Sequence, residues 1–136
     1  MKIMTKYYIN GSGFDERISR AMVANEDGKE VNGIKSTEKS SIEEMEYRAL
    51  IMALITIKYS KDSEAVIFIS NLLVHSQLLN EAKIKSLDIK MLNEEARKLL
   101  KETGSQLVLI PYEDNLAVKL IERDNKKHDA IYKSRH

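Results

Sequence analysis

Glu46 stands one turn inside a run, from Ile42 through Ala49-Leu50-Ile51-Met52-Ala53-Leu54-Ile55, that is otherwise largely apolar and helical in spacing. An ionised carboxylate there is costly without a partner or solvent. Glu46 is therefore either a site residue facing a groove, able to take up a proton or a cation, or a helix glutamate at the rim of a sheet. Asn10-Gly11-Ser12-Gly13 offers an amide and a hydroxyl between glycines. If it faces a groove, Ser12 can contact a phosphate; otherwise the tetrapeptide is an ordinary turn. Lys83, Lys85 and Lys90, with Glu81 and Asp88 interleaved, read from the residues alone as a solvated helix approach. His75, His128 and His136 are too dispersed for a metal triad, and the absence of cysteine excludes disulfides, thiolate metal sites and a cysteine nucleophile.

The elements that must position these residues follow from periodicity and turn chemistry. Residues 6–9 form a short β-prone run that the glycines of residues 10–13 are expected to close as a turn. Residues 18–24 and 30–34 flank Asp27-Gly28, a strong hairpin signal, so the first three strands form an antiparallel meander. Ser40 with Glu43, or Ser41 with Glu44, makes a capping box before a buried helix in which Ile42, Met45, Ala49, Ala53 and Thr56 recur at three and four residues. Residues 65–69 are continuously apolar, as in a central strand covered on both faces. Helices are expected over 72–79, 88–103 with Gly104 as C-cap, and 116–123; residues 106–110 form a strand stopped by Pro111. The order β-β-β-α-β-α-α-β-α requires an α/β fold whose five-stranded mixed sheet, three antiparallel strands and then two further strands, is flanked by helices.

Charge and length narrow the rest. The chain has 136 residues, suited to one domain, and 22 Lys+Arg against 21 Asp+Glu, which excludes a uniformly basic nucleic-acid binder. The balance is uneven: residues 123–136 hold five Lys/Arg and two Asp, leaving 17 against 19 in residues 1–122. A domain over 1–123 and a polar, basic C-terminal tail over 124–136 are expected. No apolar run approaches the roughly 20 residues of a membrane span, no signal peptide is legible, and a cytoplasmic protein is the expectation.

Six segments in this order resemble the ribonuclease H fold, in particular the short bacterial and archaeal type 1 proteins. They are Tyr8-Ile9-Asn10-Gly11-Ser12 against a first-strand D-G-S, Glu46-Tyr47-Arg48-Ala49-Leu50 against E-x-x-A-L, and Ile69-Ser70-Asn71 against a T/S-D strand end. The others are residues 79–85 against L-N-G-x-x-K-x-K, Leu92-Asn93-Glu94-Glu95-Ala96 against the following helix, and residues 110–120 against P-R-E-x-N-x-x-A-D-x-L-A. The resemblance spans roughly residues 6–123. It implies a ribonuclease H-like fold in which four carboxylates hold two Mg²⁺ ions that activate water against an RNA phosphodiester.

Carried over position by position, the four carboxylates fall on Asn10, Glu46, Asn71 and Val118, or on Lys119 if Asn115 rather than Asp114 matches the family's asparagine. Only Glu46 keeps a carboxylate. An amide is nearly isosteric with a carboxylate but lacks the anion a hydrated Mg²⁺ requires. No metal cofactor is expected. The resemblance places Lys83, Lys85 and Lys90 where relatives contact hybrid backbone. It thus implies a protein with a degenerate active site that binds nucleic acid, RNA·DNA hybrid or duplex, through shape and backbone contacts. Two alternatives stand beside it. One is an active Mg²⁺- or Mn²⁺-dependent hybrid endoribonuclease that combines Glu46 with Asp15, Glu43 or Asp114; the other is a protein-interaction module that has lost nucleic acid.

Overall fold

The protein, seen in a computed structural model, is described over residues 4–15, 17–61 and 64–135, with the side chains of residue 15 and of residues 128–135 outside the description. Strands β1 (Met4–Asp15), β2 (Ile18–Asn25) and β3 (Glu30–Ser36) are followed by helix α1 (Ile42–Ser60), strand β4 (Glu64–Ile69) and helices α2 (Leu72–Leu78) and α3 (Leu87–Thr103). Strand β5 (Gln106–Leu109), a 3₁₀ turn (Tyr112–Asp114) and helix α4 (Leu116–Arg135) complete the chain. The strands make one five-stranded sheet ordered β3-β2-β1-β4-β5. β1 pairs antiparallel with β2 and parallel with β4, β2 pairs antiparallel with β3, and β4 pairs parallel with β5. The expected mixed architecture is the observed one. β1 holds the middle of the sheet, and β4 lies inside it between β1 and β5.

Strand alternation sorts the core into two layers. Tyr7 and Ile9 of β1 and Ala21 and Val23 of β2 face α1 and α3 in the larger cluster, whereas Met22 and Ala24 of β2 pack with Ala117 and Ile121 of α4 in a second, smaller one. Tyr8 faces that second cluster and stacks on Phe68, its partner across the β1–β4 pairing, at 4.9 Å between ring centroids. Asn10 and Ser12 share the parity of Tyr8; Gly11 shares that of Ile9. The β2–β3 hairpin closes as its sequence demands: Gly28 takes φ +76°, and the Asn25 side chain accepts the N–H groups of Asp27 and Lys29.

Two expectations are corrected. Residues 10–13 are not a turn, because β1 runs through them to Asp15. Gly11 is needed for close approach instead of for a positive φ: a Cβ there would lie 2.2 Å from the Glu46 backbone nitrogen. α1 crosses β1 at that point with no room for a side chain. The last helix does not stop at Arg123 but continues to Arg135, and Asp124, expected to open the tail, is tied to the sheet. Its carboxylate takes Arg20 Nε at 2.5 Å and Lys35 Nζ at 2.6 Å. Arg20 lies on the α4 side of β2, is 2% exposed, and needs that anion. No helix among the described residues is long and apolar enough to cross a membrane.

Candidate nucleic-acid cleft

At the ends of β1 and β4, between the start of α1 and the face of α4, lies a cleft of about 770 Å³. β1 supplies Asn10 and Ser12, and β4 runs out into Ser70 and Asn71. The parallel pairing ends at Tyr8 opposite Phe68, and the same register two residues on sets Asn10 beside Ser70. Asn10 is 7% exposed and lines the cleft. The Ser12 hydroxyl oxygen is buried and without a hydrogen-bond partner.

Asn71 lies at the strand end for a local reason. It is the N-cap of α2, and its Oδ1 accepts the Val74 N–H at 3.0 Å. Asn115 knits the base of the cleft: its Nδ2 donates to the Ile9 carbonyl and to Ser70 Oγ, each at 2.9 Å, while its Oδ1 accepts the Ala117 N–H and opens α4. One fully buried amide thus joins β1, the end of β4 and the start of α4. Sequence reasoning gave Asn115 only a place in a motif. The signal that could have singled it out is an asparagine directly before a helical apolar pattern.

Glu46 lies next to the cleft and not in its wall. It is fully buried, its Oε2 accepts the Gly11 N–H at 2.6 Å, and its Oε1 has no hydrogen-bond partner. Burial pushes its pKa up to about 8, against which the Gly11 hydrogen bond pulls downward. The carboxyl is therefore protonated and neutral near pH 7. It is the helix-side floor of the strand that carries Asn10.

Neither Val118 nor Lys119 lines the cleft; the first is buried and the second exposed. α4 instead contributes Ile121, Glu122 and Asn125. Of the carboxylates proposed to replace the missing ones, neither Glu43 nor Asp114 forms a hydrogen bond with Glu46, whose Oε1 has no partner. Glu43 accepts from Gln77 Nε2 at 2.7 Å, and Asp114 is exposed in the 3₁₀ turn. The side chain of Asp15 lies outside the described residues, as do those of His128 and His136. No group of three or more His, Cys, Asp or Glu side chains that could hold a metal ion exists among the described residues. Lys83 and Lys85 are exposed between α2 and α3, and Lys90 is exposed on α3, away from the cleft lining.

A polar network fixes α2 against α1 and α3. The buried Tyr47 hydroxyl donates to Gln77 Oε1 at 2.8 Å and accepts from Asn93 Nδ2 at 3.0 Å. Arg97 on α3 donates to the Gln77 carbonyl and to Asn80, which holds the segment leading to Lys83.

No protein-family model and no curated protein matches the chain. Solved structures do. The ribonuclease H1 of the halophilic archaeon Halobacterium salinarum NRC-1 aligns over 87% of this chain and 93% of its own, with 19% identity and a TM-score of 0.67. A ribonuclease H1 isolated from compost by a metagenomic approach aligns over 85% and 90%, with 19% identity and a TM-score of 0.68. The same compost protein in complex with an RNA/DNA hybrid aligns over 82% and 88%, with 20% identity and a TM-score of 0.62. The fold is ribonuclease H-like, and the resemblance to the short type 1 proteins holds in three dimensions.

Proposed function

We propose that this chain is a ribonuclease H-like protein that binds RNA·DNA hybrid or duplex through backbone contacts and that does not cleave it efficiently. The observation that carries this reading is the wall of the cleft. Asn10 and Asn71, which the resemblance aligns with two metal-binding aspartates, lie together in it, and both are amides. Glu46, the one position that keeps its carboxyl, is sealed behind Gly11 and held neutral by burial. A two-metal mechanism needs several anionic oxygens around each pair of cations, and this cleft offers neutral donors in their place. No Mg²⁺ or Mn²⁺ is required in this reading. The similarity to a fold solved with an RNA/DNA hybrid supports the choice of ligand, and the lack of cysteine fits the cytoplasm.

Lys83, Lys85 and Lys90 are assigned to phosphate contacts outside the cleft, and Ser12 to one inside it. Two measurements on the purified chain test the reading. Mobility-shift titrations with RNA·DNA hybrid, double-stranded RNA and single strands over a salt series should give binding to the duplex forms that weakens steeply with salt. Incubation of the hybrid with Mg²⁺ or Mn²⁺ should leave it intact. Cleavage abolished by Glu46→Gln would overturn the assignment, as would an absence of binding at low salt.

A further inference from the structure

The polar groups of the cleft share one property: where a partner inside the protein is known, it occupies the acceptor end. Asn71 Oδ1 is taken by the Val74 N–H, which turns the Nδ2 donors away from the helix. Ser70 Oγ accepts from Asn115 Nδ2, which leaves its own proton to be given. Ser12 Oγ is buried without a partner, and Asn10, more than nine-tenths buried, lines the same cleft. A buried hydroxyl left without a partner is costly, so Ser12 marks a place where an external group completes the hydrogen bonding. Among the described residues Lys39 is the one cation of the lining and Glu122 its one carboxylate, the latter exposed on α4.

We propose that this cleft holds a phosphate group directly, without a bridging cation, through donors from Asn10, Asn71, Ser12 and Ser70, with Lys39 balancing its charge. This rests on the nucleic-acid reading above for its biological source, a backbone phosphodiester. The chemistry itself asks only for a tetrahedral oxyanion with several acceptor oxygens, to which neutral amide and hydroxyl donors can give hydrogen bonds. The aligned aspartates would present anionic oxygens and repel such a ligand unless cations stood between. Two amides reverse that preference, so the site selects an anion where carboxylates would select a cation.

The test is a titration of inorganic phosphate into ¹⁵N-labelled protein in EDTA, following the side-chain NH₂ resonances of Asn10 and Asn71. Both should shift saturably. In Asn71→Asp, which keeps the cap of α2, the phosphate affinity should fall by about tenfold or more, the scale expected for adding a like charge beside a bound anion. Ser12→Ala should weaken binding less, and Glu122→Gln should strengthen it. Unmoved Asn10 and Asn71 resonances, or equal phosphate affinity in Asn71→Asp, would overturn the proposal. A parallel titration of RNA·DNA hybrid in EDTA separates the two ideas. Hybrid that binds wild type and Asn71→Asp equally overturns the direct phosphate site and leaves the nucleic-acid reading in place. Phosphate that shifts both amides while neither hybrid nor duplex binds overturns that reading and leaves a site for a free phosphate compound.

Discussion

Glu46 Oε2 accepts the Gly11 N–H at 2.6 Å, from the face of β1 opposite to the parity of Asn10. The contact exists because α1 crosses β1 so closely that no side chain fits at position 11. This hydrogen bond ties the helix to the strand that carries Asn10, while burial, against the downward pull of the same bond, is what raises the Glu46 pKa.

Glu46→Gln should remove a pH dependence of stability. The folded pKa of about 8 lies above the ordinary 4.5. Below about pH 4.5 both folded and unfolded chains are protonated and no penalty exists. As the pH rises through the window between these values, the unfolded chain ionises while the folded one stays neutral, so wild-type stability falls by a few kcal/mol and then levels off above the folded pKa. Urea unfolding at about pH 5 and about pH 8 checks this: the wild type should lose stability between them and the variant should not.

Gly11→Ala should cost several kcal/mol, because the added carbon would meet backbone atoms of Met45 and Glu46 that cannot move independently. Gly13→Ala is the milder control, since the first atom it meets, at 2.9 Å, belongs to the Ile42 side chain. Thermal unfolding of the pair should separate them by at least about 5 °C.

Asp124→Asn should leave Arg20 buried beside a neutral partner. Burial alone would raise the Asp124 pKa, but hydrogen bonds from Lys35 and Arg20 outweigh it and hold the carboxyl below its ordinary value. Its stabilisation is therefore present above the unfolded carboxylate pKa and is lost as pH falls through the lower, folded one. At neutral pH the variant should lose about 3 kcal/mol, and hydrogen exchange should show α4 opening first.

Tyr47→Phe should cost roughly 1 to 3 kcal/mol, since it strands the acceptor of Gln77 and the donor of Asn93 in the interior. The loss should be visible in denaturant unfolding at a pH where Glu46 is neutral in both states, so that the two effects do not mix.

Replacing Lys83, Lys85 and Lys90 together by Gln should leave the fold intact, because all three are exposed and none forms an ion pair among the described residues. The slope of log K for hybrid against log salt should become shallower by roughly 2 to 3, about 0.9 for each phosphate contact removed. An unchanged slope would move the contact surface elsewhere.

Much of this molecule is legible in its sequence for identifiable physical reasons. Ser41 and Asp27-Gly28 announce a helix start and a hairpin by local chemistry, and Ser41 Oγ does accept the Glu44 N–H. The continuous apolar run of β4 announces its burial. Local reasoning failed where a long-range contact decided the outcome. Gly11 reads as a turn glycine until α1 is seen against it, and Asp124 reads as tail until Arg20 is seen beneath it. Asn115 could not be ranked because its three partners come from β1, the end of β4 and its own helix. Asn10, Asn71 and Ser12 were placed by motif, and the structure brings them to one cleft; it leaves Val118 out of the lining and Glu46 behind the wall.

The Arg20–Asp124 pair joins residues 104 positions apart, and this sets an order of assembly. A chain emerging from the ribosome can form the β1–β2–β3 meander early, since its contacts are local, but the guanidinium on β2 has no anion until the last helix is out. The second face of the sheet is thereby covered only once α4 has been made. A chain stalled or clipped before Asp124 would expose both an unpaired cation and the apolar surface around Met22 and Ala24, the kind of surface that chaperones and proteases recognise. The ion pair thus makes the second face of the sheet depend on α4.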